Sequence, residues 1–340
     1  MKNECLTVIL NWNGSEDTIA CINSILLHPE IRTDIVIIDN DSCQVQYDKL
    51  HIELQVYECS DFIELSGFEN GVEVVAVNSY IKNSSRIYLV KAKTNYGFSK
   101  ACNAGAFFAA QLNYEYILFL NNDTEVEHNF LSLLIDDIKK ENITAVIPQI
   151  RYFYDKNKIW NCGGTISAYG SRNYYYSNQD YREINKFERY IPVSFATGCC
   201  ILFRTREFLE LGMFTEKFFF GEEDIELSLR LLKMNKVILC DTESIIYHKV
   251  GASITGDKQK LLRKSYIHYL NRLVNMKTYL GWKWFLWLVP SVTKIIVNLI
   301  KINKVNFCEL CKFTYAIVID AYKSKGVDKE KFERTLKDGY

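Results

Sequence analysis

What this chain lacks narrows it before any motif is read. It has no excess of either charge, since 41 Lys and Arg balance 41 Asp and Glu. Nothing global therefore attracts a polyanion, and nucleic acid is not an expected partner. It lacks a leading apolar run of secretory length. "MKNECLTVILNWNG" carries only "LTVIL" before Asn11, too short for a signal core, which predicts a cytosolic start. It lacks an ordered cysteine framework. The 11 cysteines are an odd number, scattered, with Cys21, Cys102 and Cys240 in apolar runs, so reduced core thiols are expected. Cys308 and Cys311 form one lone "CELC", whereas structural zinc wants four ligands. Neither a P-loop nor a Gly-x-Gly-x-x-Gly follows any strand-like run. A nucleotide would have to be held by side-chain amides and carboxylates, with a metal to neutralise its diphosphate.

What is present is enough apolar residue, 48% of 340, for one large domain with an appendage. Up to about residue 250, short apolar runs alternate with amphipathic stretches, which predicts an α/β domain. "LTVIL" (6–10), "DIVIID" (34–39), "RIYLVKA" (86–92), "YILFL" (116–120) and "ITAVIPQI" (143–150) read as strands. The stretch after Gly14 opens a helix with Ile19, Ile22 and Leu26 on one face. Residues 43–86 are less regular and read as an insertion, with a strand at "VEVVAV" (72–77). Three runs end in polar clusters: Asp39-Asn40-Asp41, Asn95-Tyr96-Gly97 and Asn121-Asn122-Asp123. Such residues make turns anyway. Three clusters at the same end of successive buried strands instead predict a polar ligand site at the carboxyl edge of an open sheet. Asp123 is the first ligand expected for a hard divalent cation, and His248, after the run "SIIYH", is the second. A lone histidine in that position also has a purely structural reading.

Taken in order, "VILNWNG", "IDNDS", "NYGFSKACNAG", "FLNNDTEV", "ATGCCILFR", "FFFGEEDIELSLR" and "YHKVGAS" closely resemble the family 2 glycosyltransferases, in particular the bacterial rhamnosyltransferase-like branch. The resemblance runs from about residue 5 to residue 275. It implies the GT-A (nucleotide-diphospho-sugar transferase) fold, a mixed α/β sheet flanked by helices, over residues 1–255, with a helical appendage over 256–340. By similarity, Asn11, Asn13, Asp39, Asn40, Asn95, Gly97 and Asn122 belong to the nucleotide-sugar pocket, and Asn103 braces it. "NND" stands where the family carries Asp-x-Asp, with Asn121 replacing the first aspartate, so Mg²⁺ or Mn²⁺ is expected to be shared by Asp123, the diphosphate and His248. Gly198 and Cys199 of "ATGCC" resemble the segment on the acceptor side, and Trp160, in a Tyr-rich, glycine-broken region (151–190), is expected to face the acceptor too.

The stretch "FFFGEEDIELSLR" (218–230) sets four carboxylates behind an aromatic run. Resemblance places the catalytic base on Asp224, with Glu223 its competitor and helper. A base there would take the proton of an acceptor hydroxyl attacking the anomeric carbon, which inverts that centre. Glu226 and Arg230, spaced i, i+4, read as a surface pair, and Glu222 as exposed. At least two of Phe218, Phe219 and Phe220 are expected in the core.

The expected donor is a pyrimidine nucleotide sugar, dTDP-rhamnose or a UDP-sugar. The expected acceptor is a saccharide or lipid-linked saccharide in surface polysaccharide synthesis. Two other readings stay open: a sugar nucleotidyltransferase, against which the acids of "NWNGSEDT" speak, and an inactive nucleotide-sugar-binding scaffold. Beyond residue 256, "GWKWFLWLVPSVTKIIVNLIKINK" concentrates tryptophans, apolar residues and lysines. Its interruptions at Lys283, Pro290 and Lys294 suit a segment lying in the membrane interface over 278–302, at the inner face of the plasma membrane. The alternatives are packing on the catalytic domain or on a second subunit of a homodimer.

Overall fold

The structure is a computed structural model that describes residues 3–59, 71–186, 189–250, 258–303 and 305–340. Residues 60–70 of the expected insertion and 251–253 of "YHKVGAS" lie outside the described residues, as does the start of the connector at 256. The chain begins with β1 (Cys5–Asn11), α1 (Ser15–Leu26), β2 (Thr33–Asp39), α2 (Gln44–Leu54) and β3 (Glu58–Cys59). There follow β4 (Val74–Lys82), β5 (Ser85–Ala92), α3 (Phe98–Gln111), β6 (Tyr116–Asn121), β7 (Thr124–Val126) and α4 (Phe130–Ile138). The middle holds β8 (Ile143–Tyr152), β9 (Ile159–Asn161), β10 (Gly164–Ile166), β11 (Arg172–Tyr174), β12 (Tyr190–Val193) and β13 (Cys200–Arg204). The rest is α5 (Thr205–Glu210), α6 (Glu223–Lys233), β14 (Val237–His248), α7 (Lys258–Leu280), α8 (Trp284–Asn303), α9 (Phe307–Lys323) and α10 (Lys329–Asp338).

Among the described residues, twelve strands form one mixed sheet in the order β12-β14-β8-β13-β6-β1-β2-β5-β4-β3, with β7 added on β14 and β9 on β8. The central strands are apolar throughout because both faces are covered, and side chains alternate between two cores. Leu6 and Val8 of β1 face one core with Val36, Ile38, Ile117 and Phe119. Cys5 and Ile9 face the other with Ile35, Ile37, Leu118 and Leu120. Helices α3 and α5 cover the first face through Ala101, Ala104, Phe108 and Phe208. Helices α1, α2 and α4 cover the second through Ile22, Leu50, Phe130 and Leu134.

Between β2 and its parallel neighbour β5, the described part of residues 43–86 holds α2, the edge strand β3, and β4, which folds back on β5 as a hairpin through Asn83 and Ser84, both at positive φ. Only Tyr47, Leu50 and Leu54 of α2 are buried, so its apolar period is faint. The C-terminal helices share a third core with α6. Ile225 and Leu229 of α6 pack with Leu262, Tyr266, Leu270, Trp284 and Phe313. Leu227 and Leu231 of the same helix meanwhile face the sheet. α6 is therefore sandwiched, and its amino end is covered on two sides.

Strands β1, β2, β5 and β6 run parallel, so Asn11, Asp39 and Asn121 end at one edge. The chain steps from β1 to β2 to β5, then returns to the far side of β1 as β6. That reversal opens a crevice between the loops after β1 and β6, the place where open α/β sheets take ligands. β13 runs antiparallel to β6, which brings its start, Thr197–Cys199, to the same edge. β14 ends there as well, with His248 opposite Thr124.

Candidate active site

The loops after β1, β2 and β5 are tied together by amides. Asn11 donates from Nδ2 to Asp39 Oδ2 (2.7 Å) and Ser42 Oγ (3.2 Å), and its Oδ1 accepts from Thr18 Oγ1 (2.9 Å). Asp39 Oδ1 accepts from the Ser42 amide at 3.1 Å. Both residues are fully buried, so Asn11 and Asp39 hold the floor of the expected nucleotide pocket without facing it. Asn13, at φ 55°, accepts from the Cys43 amide and is exposed. Asn40 Nδ2 donates to Asn95 Oδ1 (2.9 Å) and to the Gly97 carbonyl (3.2 Å), and Asn95 Oδ1 also accepts from the Gly97 amide. Asn122 Nδ2 donates to Thr18 Oγ1 at 3.0 Å, pinning the end of β6 to the start of α1. What is left facing outward around this crevice is Trp12, Asn13, Asp41 and the half-buried Asn95 and Tyr96.

Gly97 couples this region to the acidic stretch. Its φ is 81°, and a Cβ there would stand 2.3 Å from the Phe219 carbonyl oxygen, which accepts from the Phe98 amide at 3.1 Å. A side chain would push the two loops apart. Asn103 does not reach the nucleotide loops. Its Nδ2 donates to the Phe214 carbonyl and to Glu216 Oε1, both at 2.9 Å, and its Oδ1 accepts from the Phe214 amide. It braces the segment that leads into the acids, because α3 lies beside that segment on the sheet.

At the end of β6, Asp123 Oδ1 stands 3.2 Å from His248 Nε2. That oxygen and His248 Nδ1 are buried and make no hydrogen bond of ordinary geometry. Burial alone would push the imidazole down, but Cys199 and the Asp123 carboxylate outweigh it, and His248 rises to about 10. Cys199, in contact with the same ring, is itself pushed up by burial. A cation held by Asp123 and His248 would take the place of the ring's proton. A carboxylate and an imidazole with free buried lone pairs fit a divalent cation. Among the described residues no cluster of three or more His, Cys, Asp or Glu is placed to hold a metal, so remaining ligands have to come from a bound phosphate or water. Trp160, expected toward the acceptor, packs edge-on against the His248 ring at 4.5 Å, because β9 pairs with β8 next to β14. Cys199 is likewise turned inward, buried beside His248.

The opposing wall is the amino end of α6. Gly221 and Glu222 both take positive φ, 85° and 75°, which for a glutamate is a strained conformation held by its surroundings. Glu222, read as exposed, is buried. It accepts from Asn275 Nδ2 (3.1 Å) and faces Arg272 Nη1 (3.7 Å), both on α7, and burial pushes its carboxyl up to about 7. Asn271 on the same helix donates to the Phe220 carbonyl at 2.9 Å. Glu226 pairs with Arg230 at 2.9 Å as its spacing requires, but the pair is mostly buried, accepts from the Tyr279 hydroxyl, and Arg230 also donates to the Leu211 carbonyl. Phe218 is in the core, Phe219 packs on Phe332 of α10 at 5.0 Å, and Phe220 is exposed. The Phe219 amide donates to the Val327 carbonyl (2.7 Å) and the Val327 amide to the Lys217 carbonyl (2.8 Å), so a distant segment lines this loop like an added strand.

Asp224 lies in the first turn of α6, half-buried, against the Gly198 backbone. A Cβ on Gly198 would be 3.8 Å from that of Asp224. Burial raises its carboxyl, while the Arg172 guanidinium from β11 and the Gly198 and Ile225 amides pull the other way. Burial and the charge of Asp224 push Glu223 up to about 8, and its buried Oε2 has no hydrogen-bond partner. The segment Thr197–Cys199 thus touches both carboxylate centres: Gly198 meets Asp224, and Cys199 meets His248 and Asp123. Sequence reasoning missed Arg172, Arg272, Asn275 and Val327. Asn271 and Asn275, one turn apart in an otherwise apolar stretch of α7, were the available signal of a buried polar contact.

The raised Glu223 has a consequence for stability. Its folded value lies above the unfolded one, so the folded state holds a proton that the unfolded chain has lost between about pH 4.5 and 8. Stability is greatest below that window and falls as pH rises through it, by up to about 1 kcal/mol per unit. The ligand-free protein is expected to melt lower at pH 8 than at pH 6, and Glu223→Gln to flatten that slope. A variant with the parent's slope would assign the dependence elsewhere.

Residues 73–212 match the family model described as glycosyl transferase family 2. The O-antigen biosynthesis protein RfbC of Myxococcus xanthus is 24% identical over 157 residues, 44% of this chain and 12% of that protein, so the chain spans a small part of that relative. Among solved structures, GalNAc-T7 with UDP, GalNAc and Mn²⁺ aligns with a TM-score of 0.51 at 15% identity, over 89% of this chain and 58% of that one. The mannosyltransferase PcManGT of Pyrobaculum calidifontis, in complex with GDP-Man and Mn²⁺, aligns at 0.53 and 10% identity, over 100% of this chain and 89% of that one. At such identities the likeness is one of fold, and the fold is GT-A: a mixed sheet flanked by helices, followed by C-terminal helices. The family match and this fold together support a glycosyltransferase.

Proposed function

We propose that the protein transfers a sugar, with inversion, from a pyrimidine nucleotide-diphosphate donor to a hydroxyl of a saccharide or lipid-linked saccharide, in the cytoplasm and in surface polysaccharide synthesis. One observation carries the reading: a cation-ready pair, Asp123 with His248, and a half-buried carboxylate, Asp224, both bear on the three residues Thr197–Cys199 at the sheet's carboxyl edge. The match of residues 73–212 supports the class of reaction, and the resemblance to an O-antigen biosynthesis protein supports the polysaccharide role. The rhamnosyltransferase-like motifs favour dTDP-rhamnose, with a UDP-sugar as the other donor.

In this mechanism the exposed Asn13 and Asp41 and the half-buried Asn95 receive the nucleoside, on a floor fixed by Asn11 and Asp39. Asp123 and His248 would hold Mg²⁺ or Mn²⁺, which when bound would supply positive charge to the departing diphosphate. The acceptor hydroxyl gives its proton to Asp224 as its oxygen bonds to the anomeric carbon, while the bond from that carbon to the diphosphate oxygen breaks and its electron pair leaves with the nucleotide. Arg172 favours the ionised form of Asp224 that this step needs, against the burial that opposes it.

A thermal-shift series over nucleotide sugars with Mg²⁺ and with Mn²⁺ tests the donor. One pyrimidine nucleotide sugar should raise Tm by a few degrees at about 100 times its Kd. A flat response to every nucleotide sugar, with either cation, would end this reading.

A further inference from the structure

Helix α8 presents two apolar faces. Trp284, Ile295 and Leu299 point inward, buried with residues of α7 and α9, and Trp284 Nε1 donates to the Leu273 carbonyl at 2.9 Å. The outer face carries Phe285, Leu286, Val289, Val297 and Ile300, with Trp282 at its start. Leu286 and Val289 are 69% exposed and Trp282 70%. Phe285 and Val289 are one turn apart, as are Leu286 and Val289 and then Val297 and Ile300, so these side chains share one side of the helix in two groups, with the exposed Thr293 between them. Side chains of this kind gathered on one surface mark a docking site rather than scattered exposure.

The charge around the stripe says what docks. From residue 278 to residue 308 the sequence has four lysines and no Asp or Glu. Lys283, Lys294 and Lys301 are exposed along the helix. A second copy of this chain meeting the stripe through a two-fold axis would set these lysines against themselves, and like charges opposed across an interface disfavour it. A surface of anionic headgroups over an acyl layer complements both the lysines and the stripe, and an exposed tryptophan suits the boundary between them. By length and composition the run Gln259–Lys301 could cross a membrane. The inner face of α8 is committed to α7 and α9, however, so lipid cannot surround that helix.

We infer that the outer face of α8 docks on an anionic lipid bilayer, with the helix lying in the plane of the headgroups and the rest of the chain outside the membrane. This goes beyond the transfer reading and stands or falls apart from it, since vesicle binding needs no donor and no turnover. The test is flotation of the full chain with phosphatidylcholine vesicles, with and without about a third phosphatidylglycerol. The chain should float with the anionic vesicles, bind neutral ones at least about tenfold more weakly, and detach as salt is raised. Leu286→Ser with Val289→Ser and Ile300→Ser should lower binding by about tenfold or more with an unchanged melting curve. Lys283→Gln with Lys294→Gln and Lys301→Gln should do the same through exposed side chains, which keeps the test valid if the first variant folds poorly. Absence of binding to anionic vesicles overturns the inference, as does binding untouched by the lysine set. A patch variant that turns a dimer into a monomer while vesicle binding is nil overturns it in favour of self-association.

Discussion

Asp224→Asn is expected to lower the rate of sugar transfer by about 10²–10⁴-fold while donor affinity changes by less than about twofold. The asymmetry follows from where Asp224 sits. It lies against Gly198, whereas the bonds that tie the nucleotide loops and the Asp123–His248 pair are made by other side chains. Asparagine has the same shape and keeps an acceptor oxygen for the Gly198 and Ile225 amides, so α6 should start as before. It has no basicity for a hydroxyl proton. Glu223 is the residue able to stand in, but burial still pushes its carboxyl up once the neighbouring charge is gone, which leaves it a poor acceptor for the proton. Glu223→Gln should therefore cost much less transfer than Asp224→Asn. Should the two variants show equal losses, the base would belong to the pair jointly. Near-normal transfer by Asp224→Asn would remove the base assignment altogether.

Asp123→Ala is expected to have an effect of similar size at a different step. Without the carboxylate, His248 loses the charge that holds it, and a cation is left with one protein ligand. Donor affinity in the presence of Mn²⁺ should fall by about 100-fold or more, since even outer-shell changes at metal sites cost 10–100-fold. The response to chelator distinguishes this from simple damage. The parent should lose donor affinity when the cation is removed, whereas Asp123→Ala should show the same weak affinity with and without it. Isothermal titration with dTDP and UDP, each with Mn²⁺, Mg²⁺ and chelator, reads all of these. A variant that keeps the parent's dependence on the cation would place the metal elsewhere.

Much of this architecture was legible because its signals are local. β1, β2 and β6 announce themselves as apolar runs that stop at Asn or Asp, and a parallel sheet buried on both faces requires runs of that kind. The Glu226–Arg230 pair is set by helical spacing. Glu222 illustrates the limit. On sequence it is one of four neighbouring acids, and nothing nearby says that α7 will cover it with Arg272 and Asn275. The same applies to Asn11 and Asp39, whose type and place point to the ligand loops. Only the register of β1 against β2 shows that their side chains satisfy each other first. The contact of Trp160 with His248 was hidden for a related reason. A short strand in a tyrosine-rich stretch gives no hint that it pairs with β8, which carries the ring to His248. Helix α2 was hidden by its three buried positions, too few to set a period.

The pairing of Val327 with Lys217 and Phe219 bears on how the protein comes into being. A ribosome releases the chain amino end first, so a nascent polypeptide that has just completed β14 already owns every strand of the large sheet. Its acidic loop still lacks the backing that Val327 and Phe332 supply far downstream. The working shape of that loop is therefore one of the last things to form during synthesis. A half-made chain tethered to the ribosome would carry the scaffold without the finished machinery.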